Sequence, residues 1–211
     1  MTEPARLGVL LSGSGRTLQN FLDLADAGKL HVRFAKVVSS RSDAYGLERA
    51  RQHGVSTAVV RRKDFESVDA FSDAITAQLR AADVELVAMA GFLCLYRIPD
   101  CYAGRTMNIH PALLPAFGGQ GFYGDRVHQA ILDYGCKVSG CTVHFADNTY
   151  DHGPIILQRT VPVEEGDDAH SLAARVFEQE LVAYPAAINL FAESRLRLEG
   201  RRVHVLPPQR G

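Results

Sequence analysis

The 211-residue sequence predicts an α/β fold, with an open, doubly wound, mostly parallel sheet and an antiparallel C-terminal part. In the first half of the chain, short apolar runs alternate with segments whose apolar residues recur at helical spacing. After about residue 136, apolar and polar residues alternate instead, which is typical of half-buried antiparallel strands. Regular alternation of strands and helices, followed by strand pairs, favours a parallel sheet that continues into a mixed one.

The first half is expected to contain four strands and three helices. Gly28 and Gly54 end the first two helical patterns, and Ser67 is the expected N-cap of the third. The last strand is apolar apart from Glu85, as in a central parallel strand that is covered on both faces. The expected strands are 6–13, 32–40, 55–61 and 84–92, and the expected helices are 17–28, 45–54 and 67–84.

The second half begins with a strand at 105–110 and then changes character. Segments 137–147 and 154–163 are expected to pair as antiparallel strands, and 195–205 is expected to form a closing hairpin. Between them lies a helix over 167–193, with Asp167 or Asp168 as its cap and Pro185 as a break or kink. We expect one domain over 1–211, with an N-terminal part at about 1–104 and a second part at about 105–211.

The composition narrows the class of protein. The formal net charge of −1 gives no reason to expect nucleic acid as a partner, and no run approaches the ~20 apolar residues that cross a bilayer. The four cysteines form no C-x-x-C pair and no zinc pattern with the histidines. We therefore expect a cytoplasmic protein with reduced thiols, no metal site, no nucleic-acid partner and no membrane partner.

The segment SGSGRTL, residues 12–18, joins the first expected strand to the first expected helix. Small residues there allow backbone N–H groups to approach an anion at the helix N-terminus. The segment is neither a complete G-x-G-x-x-G motif nor a Walker loop, because Leu18 occupies the third glycine position. These residues alone are as consistent with a tight turn as with a phosphate site.

The strand ending in N-I-H places Asn108 and His110 on one face, because strand side chains repeat every two residues. The carboxyl ends of parallel strands line the ligand crevice of such sheets. An Asn can donate to a developing oxyanion, and a His can transfer a proton near neutral pH. Taken alone, however, the two residues slightly favour the alternative that they only bond to local backbone.

The loop ADNTYDHGP, residues 146–154, carries Asp147 and Asp151. A carboxylate beside His110 would favour the charged imidazolium and so maintain a general acid near neutral pH. An ordinary Asp-rich turn is the competing interpretation. His144, on the preceding strand, belongs either to the same site or to the core, and the core is the preferred interpretation.

Six segments occur in an order that resembles one family: SGSGRTL, GLERA, MAGF, NIHPALLP, TVHF and DHGPIILQ. The sequence is similar to the phosphoribosylglycinamide formyltransferases, a branch of the formyltransferase superfamily, from about residue 6 to 208. N-I-H-P followed some forty residues later by D-x-G-P is specific to the superfamily, and the SGSG and GPIILQ segments narrow the resemblance to this branch. The resemblance implies the Rossmann-like formyltransferase fold.

The resemblance also implies roles for individual residues. Asn108, His110 and Asp151 match the catalytic Asn, His and Asp of the family. The residues matching the family's ribonucleotide site are Gly15, Arg16, Thr17 and Glu180, and those matching its folate site are Leu93, Cys94, Leu95, Tyr96 and Asn108. By the same resemblance, 10-formyltetrahydrofolate donates a formyl group to the amine of 5′-phosphoribosylglycinamide in de novo purine synthesis. The expected partners are therefore small molecules, with a monomer or a homodimer both open.

Two departures separate this chain from the family pattern. The loop after N-I-H-P reads FGGQGFYGDRVHQAI, which is longer than the usual family segment, and it also resembles that of formyltetrahydrofolate deformylase. Val68 stands where the family often has an Arg that contacts folate, with Arg61, Arg62 or Lys63 as alternative cations.

Three other functions compete with the transferase. Formyltetrahydrofolate deformylase shares the Asn, His and Asp, but it carries an additional regulatory domain and lacks the SGSG loop. Methionyl-tRNA formyltransferase has a further nucleic-acid domain, for which this chain has no counterpart. A non-catalytic ribonucleotide- or folate-binding module would not need Asn108, His110 and Asp151 together.

Overall fold

A computed structural model describes residues 3–208 of the chain, so the ends of the predicted 1–211 domain, at 1–2 and 209–211, lie outside the described part. The chain divides into two compact units between Met107 and Asn108. Whether these form one domain, as the sequence predicts, stays a prediction.

The first unit contains alternating strands and helices. Its strands are β1 (Ala5–Leu11), β2 (Val32–Ser39), β3 (Thr57–Val59) and β4 (Leu86–Met89), and its helices are α1 (Arg16–Asp26), α2 (Tyr45–Gln52) and α3 (Val68–Ala81). β1 pairs in parallel with both β2 and β4, and β2 pairs in parallel with β3. The predicted order of elements is therefore confirmed, with ends shifted by a few residues.

The core of the first unit centres on β1, whose Leu7, Val9, Leu10 and Leu11 are fully buried. Continuous burial along the strand agrees with a parallel sheet that is covered on both faces. Helix α3 begins where the sequence predicts, because the Ser67 hydroxyl accepts a hydrogen bond from the Ala70 N–H at 3.0 Å.

Strand β5 (Thr106–His110) crosses the boundary between the units. The second unit then contains α4 (Asp125–Tyr134), β6 (Val138–Phe145), β7 (Ile155–Pro162), α5 (Ala169–Ala192), β8 (Leu196–Glu199) and β9 (Arg202–Val205). β6 and β7 pair antiparallel, as do β8 and β9, which confirms both predictions. The seven-stranded sheet has the order β3-β2-β1-β4-β5-β6-β7, and β8 and β9 form a separate two-stranded sheet.

Two features of the second unit differ from the sequence prediction. Helix α4 lies where no element was predicted, between the expected strands at 105–110 and 137–147. The predicted break at Pro185 is wrong, since α5 continues through this residue as a single 24-residue helix. Proline inside a helix costs about 3 kcal/mol, and the complete burial of Tyr184, Ala187 and Ile188 around it supplies compensating packing.

The N-terminus of α5 resolves the choice between two caps. Asp168 is the N-cap, and it forms a capping box in which its carboxylate accepts from the Ser171 N–H at 2.7 Å and the Ser171 hydroxyl accepts from the Asp168 N–H at 3.0 Å. Asp167 instead pairs with Arg175, with oxygen and nitrogen 2.7 Å apart. Within residues 3–208, no helix is long and apolar enough to cross a membrane.

Candidate active site

Strand β5 ends with Asn108 and His110, and the loop after β6 carries Asp151, so the three predicted catalytic side chains come together in the second unit. His110 Nδ1 lies 3.4 Å from Asp151 Oδ2. Asn108 Nδ2 donates to Asp151 Oδ1 at 3.4 Å. The side chains of His110 and Asp151 are only 4% and 10% exposed, so their charges interact where little water screens them.

Asp151 is held by its backbone as well as by its carboxylate. Its φ of 52° lies in the left-handed region, which Asp tolerates better than most residues. Its Oδ2 accepts a hydrogen bond from the Gly119 N–H at 3.0 Å, so the glycine-rich loop contacts the same carboxylate as His110. A side chain at Gly118 would come within 3.2 Å of the Asp151 Cβ, so this approach of the loop depends on glycine.

The second nitrogen of His110 contacts the same loop. His110 Nε2 lies 2.7 Å from the carbonyl oxygen of Phe117. A carbonyl only accepts, so Nε2 carries a hydrogen. Since Nδ1 faces a carboxylate, both ring nitrogens have acceptors, which is the arrangement that suits an imidazolium.

His144 is part of this cluster, although the sequence favoured a plain core histidine. It lies near the end of β6 and is 1% exposed. Its Nε2 lies 3.3 Å from Asn108 Nδ2 and 3.9 Å from Asp151 Oδ1, and its Nδ1 lies 3.0 Å from the Phe145 carbonyl. Burial is the largest influence on its pKa and lowers it.

The predicted phosphate loop lies in the first unit. Gly15 is the N-cap of α1 with a φ of 70°, and Arg16 and Thr17 open the helix. A Cβ on Gly15 would lie 2.5 Å from the Gly46 Cα, so α2 approaches too closely for any other residue at this position. Arg49 of α2 supports the loop, because its Nε donates to the Ser14 carbonyl at 2.9 Å.

Sequence reasoning did not identify this supporting role of α2. GLERA was recognised only as a family segment, and nothing in its spacing shows that Gly46 and Arg49 contact the Ser14–Gly15 turn. A glycine within a predicted helix is the signal that could have indicated a close approach.

The segment predicted to bind folate also lies in the first unit. Leu93 is 67% exposed, and its N–H donates to the Ser12 hydroxyl at 2.9 Å. Tyr96 is buried and its hydroxyl bonds with that of Thr76 at 2.9 Å; burial raises its pKa. Any ligand contact at Tyr96 therefore involves its main chain. Cys94 and Leu95 are partly buried.

Glu180, predicted to contact the ribonucleotide, lies on α5 and is half-buried. Its charge acts on the Cys141 thiol of β6, and together with burial, which is the larger effect, it raises the pKa of Cys141 to about 12. Cys141 is therefore a neutral thiol at physiological pH.

The cations offered as substitutes for an Arg at position 68 lie just after β3. Arg61, Arg62 and Lys63 line a surface pocket of about 310 Å³ together with residues 40–43. Arg61 pairs with Asp64 at 2.7 Å, and Arg62 donates to the Phe65 carbonyl at 2.7 Å. Among residues 3–208, no group of three or more His, Cys, Asp or Glu residues is arranged to hold a metal.

The sequence profile of the family described as Formyl transferase matches residues 5–188, which is most of the chain. The chain belongs to the formyl transferase family. Its predicted family is therefore confirmed, and with it the predicted fold.

Two bacterial relatives of this formyl transferase match over nearly their whole length. The chain is 37% identical over 196 residues to phosphoribosylglycinamide formyltransferase of Haemophilus influenzae, covering 92% of this chain and 90% of the relative. It is 37% identical over 210 residues to the Escherichia coli protein of the same name, covering 95% of each.

Solved structures of formyl transferases share the fold. Glycinamide ribonucleotide transformylase 1 from Symbiobacterium toebii has a TM-score of 0.92 and 46% identity, covering 98% of this chain and 96% of its own. A formyltetrahydrofolate deformylase from Pseudomonas syringae has a TM-score of 0.87 but only 19% identity, and this chain covers 67% of it. Because the identity to the deformylase is so low, this similarity shows only that the two proteins share a fold.

Proposed function

We propose that this chain transfers the formyl group of 10-formyltetrahydrofolate to the amine of 5′-phosphoribosylglycinamide, a step of de novo purine synthesis. The observation that carries the proposal is full-length identity of 37% to 46% with proteins named for that activity. The contacts among Asn108, His110 and Asp151 support it, because they supply the chemistry that such a transfer needs.

The reaction begins when the lone pair of the substrate amine attacks the formyl carbon. A C–N bond forms, and the electrons of the C=O bond move to its oxygen to give a tetrahedral oxyanion. The Asn108 Nδ2–H and the His110 imidazolium donate hydrogen bonds to that oxygen. An oxyanion donor of this kind lowers the activation barrier by roughly 3 kcal/mol.

Collapse of the tetrahedral intermediate breaks the bond between the formyl carbon and N10 of the folate. The attacking amine loses a proton and the departing N10 gains one, so the overall transfer neither consumes nor releases a proton. Asp151 maintains His110 in its charged form, since Asp151 Oδ2 lies 3.4 Å from Nδ1 in a site that is nearly closed to water.

The first unit carries proposed binding residues for both substrates. The Gly15 turn and the first residues of α1 present backbone N–H groups, which suit the phosphate of the ribonucleotide. Main-chain groups of Leu93–Tyr96 are proposed to bind the folate ring. Glu180 is proposed to contact the ribonucleotide from α5.

The test is an assay of purified protein with 10-formyltetrahydrofolate, with and without 5′-phosphoribosylglycinamide. We expect tetrahydrofolate to appear only when the ribonucleotide is present, with one formylated ribonucleotide for each folate released. Equal folate release without the ribonucleotide would identify a deformylase. No release under either condition would identify a binding module.

A further inference from the structure

His144 is a buried histidine that the formyl-transfer steps above do not use. It faces Asn108, and both residues lie in the second unit at the ends of β5 and β6. The three groups around its Nε2 are Asn108, Asp151 and, through its charge, His110. This arrangement goes beyond what filling a core requires, because a polar ring in a core needs only a backbone partner.

The partners of His144 decide which of its nitrogens carries hydrogen. The Phe145 carbonyl, 3.0 Å from Nδ1, can only accept, so Nδ1 is the protonated nitrogen. In a neutral ring, Nε2 then has a lone pair and no hydrogen. It accepts a hydrogen bond from Asn108 Nδ2 at 3.3 Å.

The neutral form of the ring follows from its surroundings. Burial lowers the pKa of His144, and the positive charge of His110 acts in the same direction. The Phe145 carbonyl and the carboxylates of Asp151 and Asp147 oppose this but do not outweigh burial. A protonated His144 would place an N–H group against the NH₂ of Asn108, where neither can accept.

Two contacts independently fix the orientation of the Asn108 amide. The lone pair on His144 Nε2 requires a donor opposite it, and the Asp151 carboxylate requires a donor opposite Oδ1. The reversed amide would place its oxygen against both acceptors. Only the orientation with Nδ2 inward satisfies the two residues.

We infer that His144 is a positioning residue for the proposed formyl transfer: its unprotonated Nε2 takes one hydrogen of the Asn108 amide and thereby directs the other hydrogen to the reacting oxygen. The two hydrogens of an amide group are held in one plane, so fixing one fixes the second. In this structure the second hydrogen has only the long 3.4 Å contact with Asp151 Oδ1. A developing oxyanion offers it a stronger acceptor.

A pair of variants separates this role from simple packing. In His144→Gln, the amide oxygen reaches the position of Nε2 and accepts from Asn108. In His144→Asn, the shorter amide reproduces a donor near Nδ1 and leaves Asn108 without its acceptor. We expect His144→Asn to lower kcat by about 10-fold or more, because a misplaced catalytic group is costly, with the KM of both substrates within about threefold.

The conservative variant His144→Gln is expected to retain at least about a third of the wild-type kcat. His128, a second histidine that is 3% exposed, lies on α4 and provides the control, since no hydrogen bond within residues 3–208 joins it to Asn108. We expect His128→Asn to lower stability without the loss of kcat. Equal kcat in His144→Asn and His144→Gln would overturn the inference.

A spectroscopic measurement tests the hydrogen bond without relying on turnover. Long-range ¹H–¹⁵N correlation spectra of the wild-type protein distinguish the two neutral tautomers of each histidine. We expect His144 to be protonated only at Nδ1 at pH 7. Protonation at Nε2, alone or in an imidazolium, would overturn the inference even if no variant folds.

Failure of the inference and failure of the proposed function give different results. A wild-type protein that transfers no formyl group contradicts the function, and the tautomer measurement still decides the state of His144. An active wild-type protein whose two His144 variants behave alike contradicts the inference only.

Discussion

The Asp151 carboxylate connects three parts of the second unit. Its Oδ2 faces His110 of β5 and accepts from Gly119 of the glycine-rich loop, and its Oδ1 accepts from Asn108. All these partners present N–H groups, so the site requires an acceptor with two oxygens. An amide at this position would present its NH₂ to at least one of these donors.

We therefore expect Asp151→Asn to lower kcat by at least about 100-fold, in the range found for loss of a group that stabilises an oxyanion. Steady-state formyl transfer, with circular dichroism to check folding, measures this. Asp147→Asn is the matched control, because Asp147 lies in the same loop but pairs with the exposed His152 at 2.9 Å. A folded Asp151→Asn protein with a kcat close to that of the control would contradict the assigned role.

Helix α5 shows how an ion pair near a helix terminus adds to a cap. Asp167 accepts from both Arg175 and the Glu164 N–H, and the Arg175 guanidinium holds the pKa of Asp167 well below its usual range. The capping box of Asp168 satisfies backbone groups of the same turn. The start of the helix is thus fixed by two adjacent carboxylates with different partners.

The low pKa of Asp167 makes this stabilisation depend on pH. An unfolded Asp has a pKa of about 3.9, so the contribution is complete above that value and is lost as the pH falls towards the lower folded-state pKa. We expect Asp167→Asn to lower the melting temperature by a few degrees at pH 7 and by clearly less near pH 2, because the folded-state pKa lies far below that of the unfolded chain. Thermal melts across this range measure it.

Glu165→Gln provides the control for that experiment. Glu165 pairs with Lys137 at 3.4 Å, but its side chain is 98% exposed, where ion pairs contribute little. We expect no change in melting temperature at either pH. An equal effect of both variants would show that the Asp167 pair has no special role.

The β8–β9 hairpin contacts the loop that carries Asp151. Arg201, in its turn, donates to the carbonyl oxygen of His152 at 2.7 Å and contacts the His152 ring at 3.2 Å. His152 follows Asp151 directly, so the hairpin restrains the backbone beside the carboxylate. This gives the hairpin a connection to the site that its sequence pattern did not reveal.

We expect Arg201→Ala to lower kcat by about 3- to 10-fold while the melting temperature changes little, because exposed contacts are worth ~1 kcal/mol or less. Hydrogen exchange at residues 150–153 should become faster. Arg197→Ala is the control, since Arg197 pairs within the hairpin, with Glu199 at 3.1 Å. Unchanged exchange in Arg201→Ala would exclude the restraint.

Across the whole molecule, the sequence predicted what depends on hydrophobic pattern and failed where contacts are non-local. The parallel and antiparallel parts and the Ser67 cap followed from periodicity and capping chemistry, whereas the roles of Asn108, His110 and Asp151 came from the family resemblance and stay predictions. Helix α4 was missed because glycines precede it, and a break at Pro185 was wrongly expected because propensity ignores tertiary packing. The state of His144 was not predictable, since its partners are 36 and 7 residues away.

The division of tasks between the two units gives a prediction for the whole enzyme. The Gly15 turn is proposed to bind phosphate, and the Asn108 cluster is proposed to perform the transfer. We expect Gly15→Ala, whose Cβ would lie 2.5 Å from Gly46, to raise the KM for the ribonucleotide about 10-fold with little change in kcat.

Gly28→Ala tests whether that effect is specific. Gly28 follows the other end of α1 with a similar φ of 68°, but a Cβ there meets nothing within 4 Å. It should cost about 1 kcal/mol of stability and leave the KM unchanged. A Gly15→Ala protein that loses kcat instead of ribonucleotide affinity would contradict the division.

The Phe117 carbonyl at His110 Nε2 makes substrate binding an exchange of partners. A formyl oxygen that reaches this nitrogen replaces the Phe117 carbonyl, so one neutral acceptor takes the place of another. Such an exchange changes the free energy of binding little. The oxyanion that forms next is charged and binds the same N–H more strongly. Because the loop carbonyl is displaced, the reactant gains little binding free energy from this hydrogen bond. The transition state still gains from it, and only such a difference accelerates a reaction.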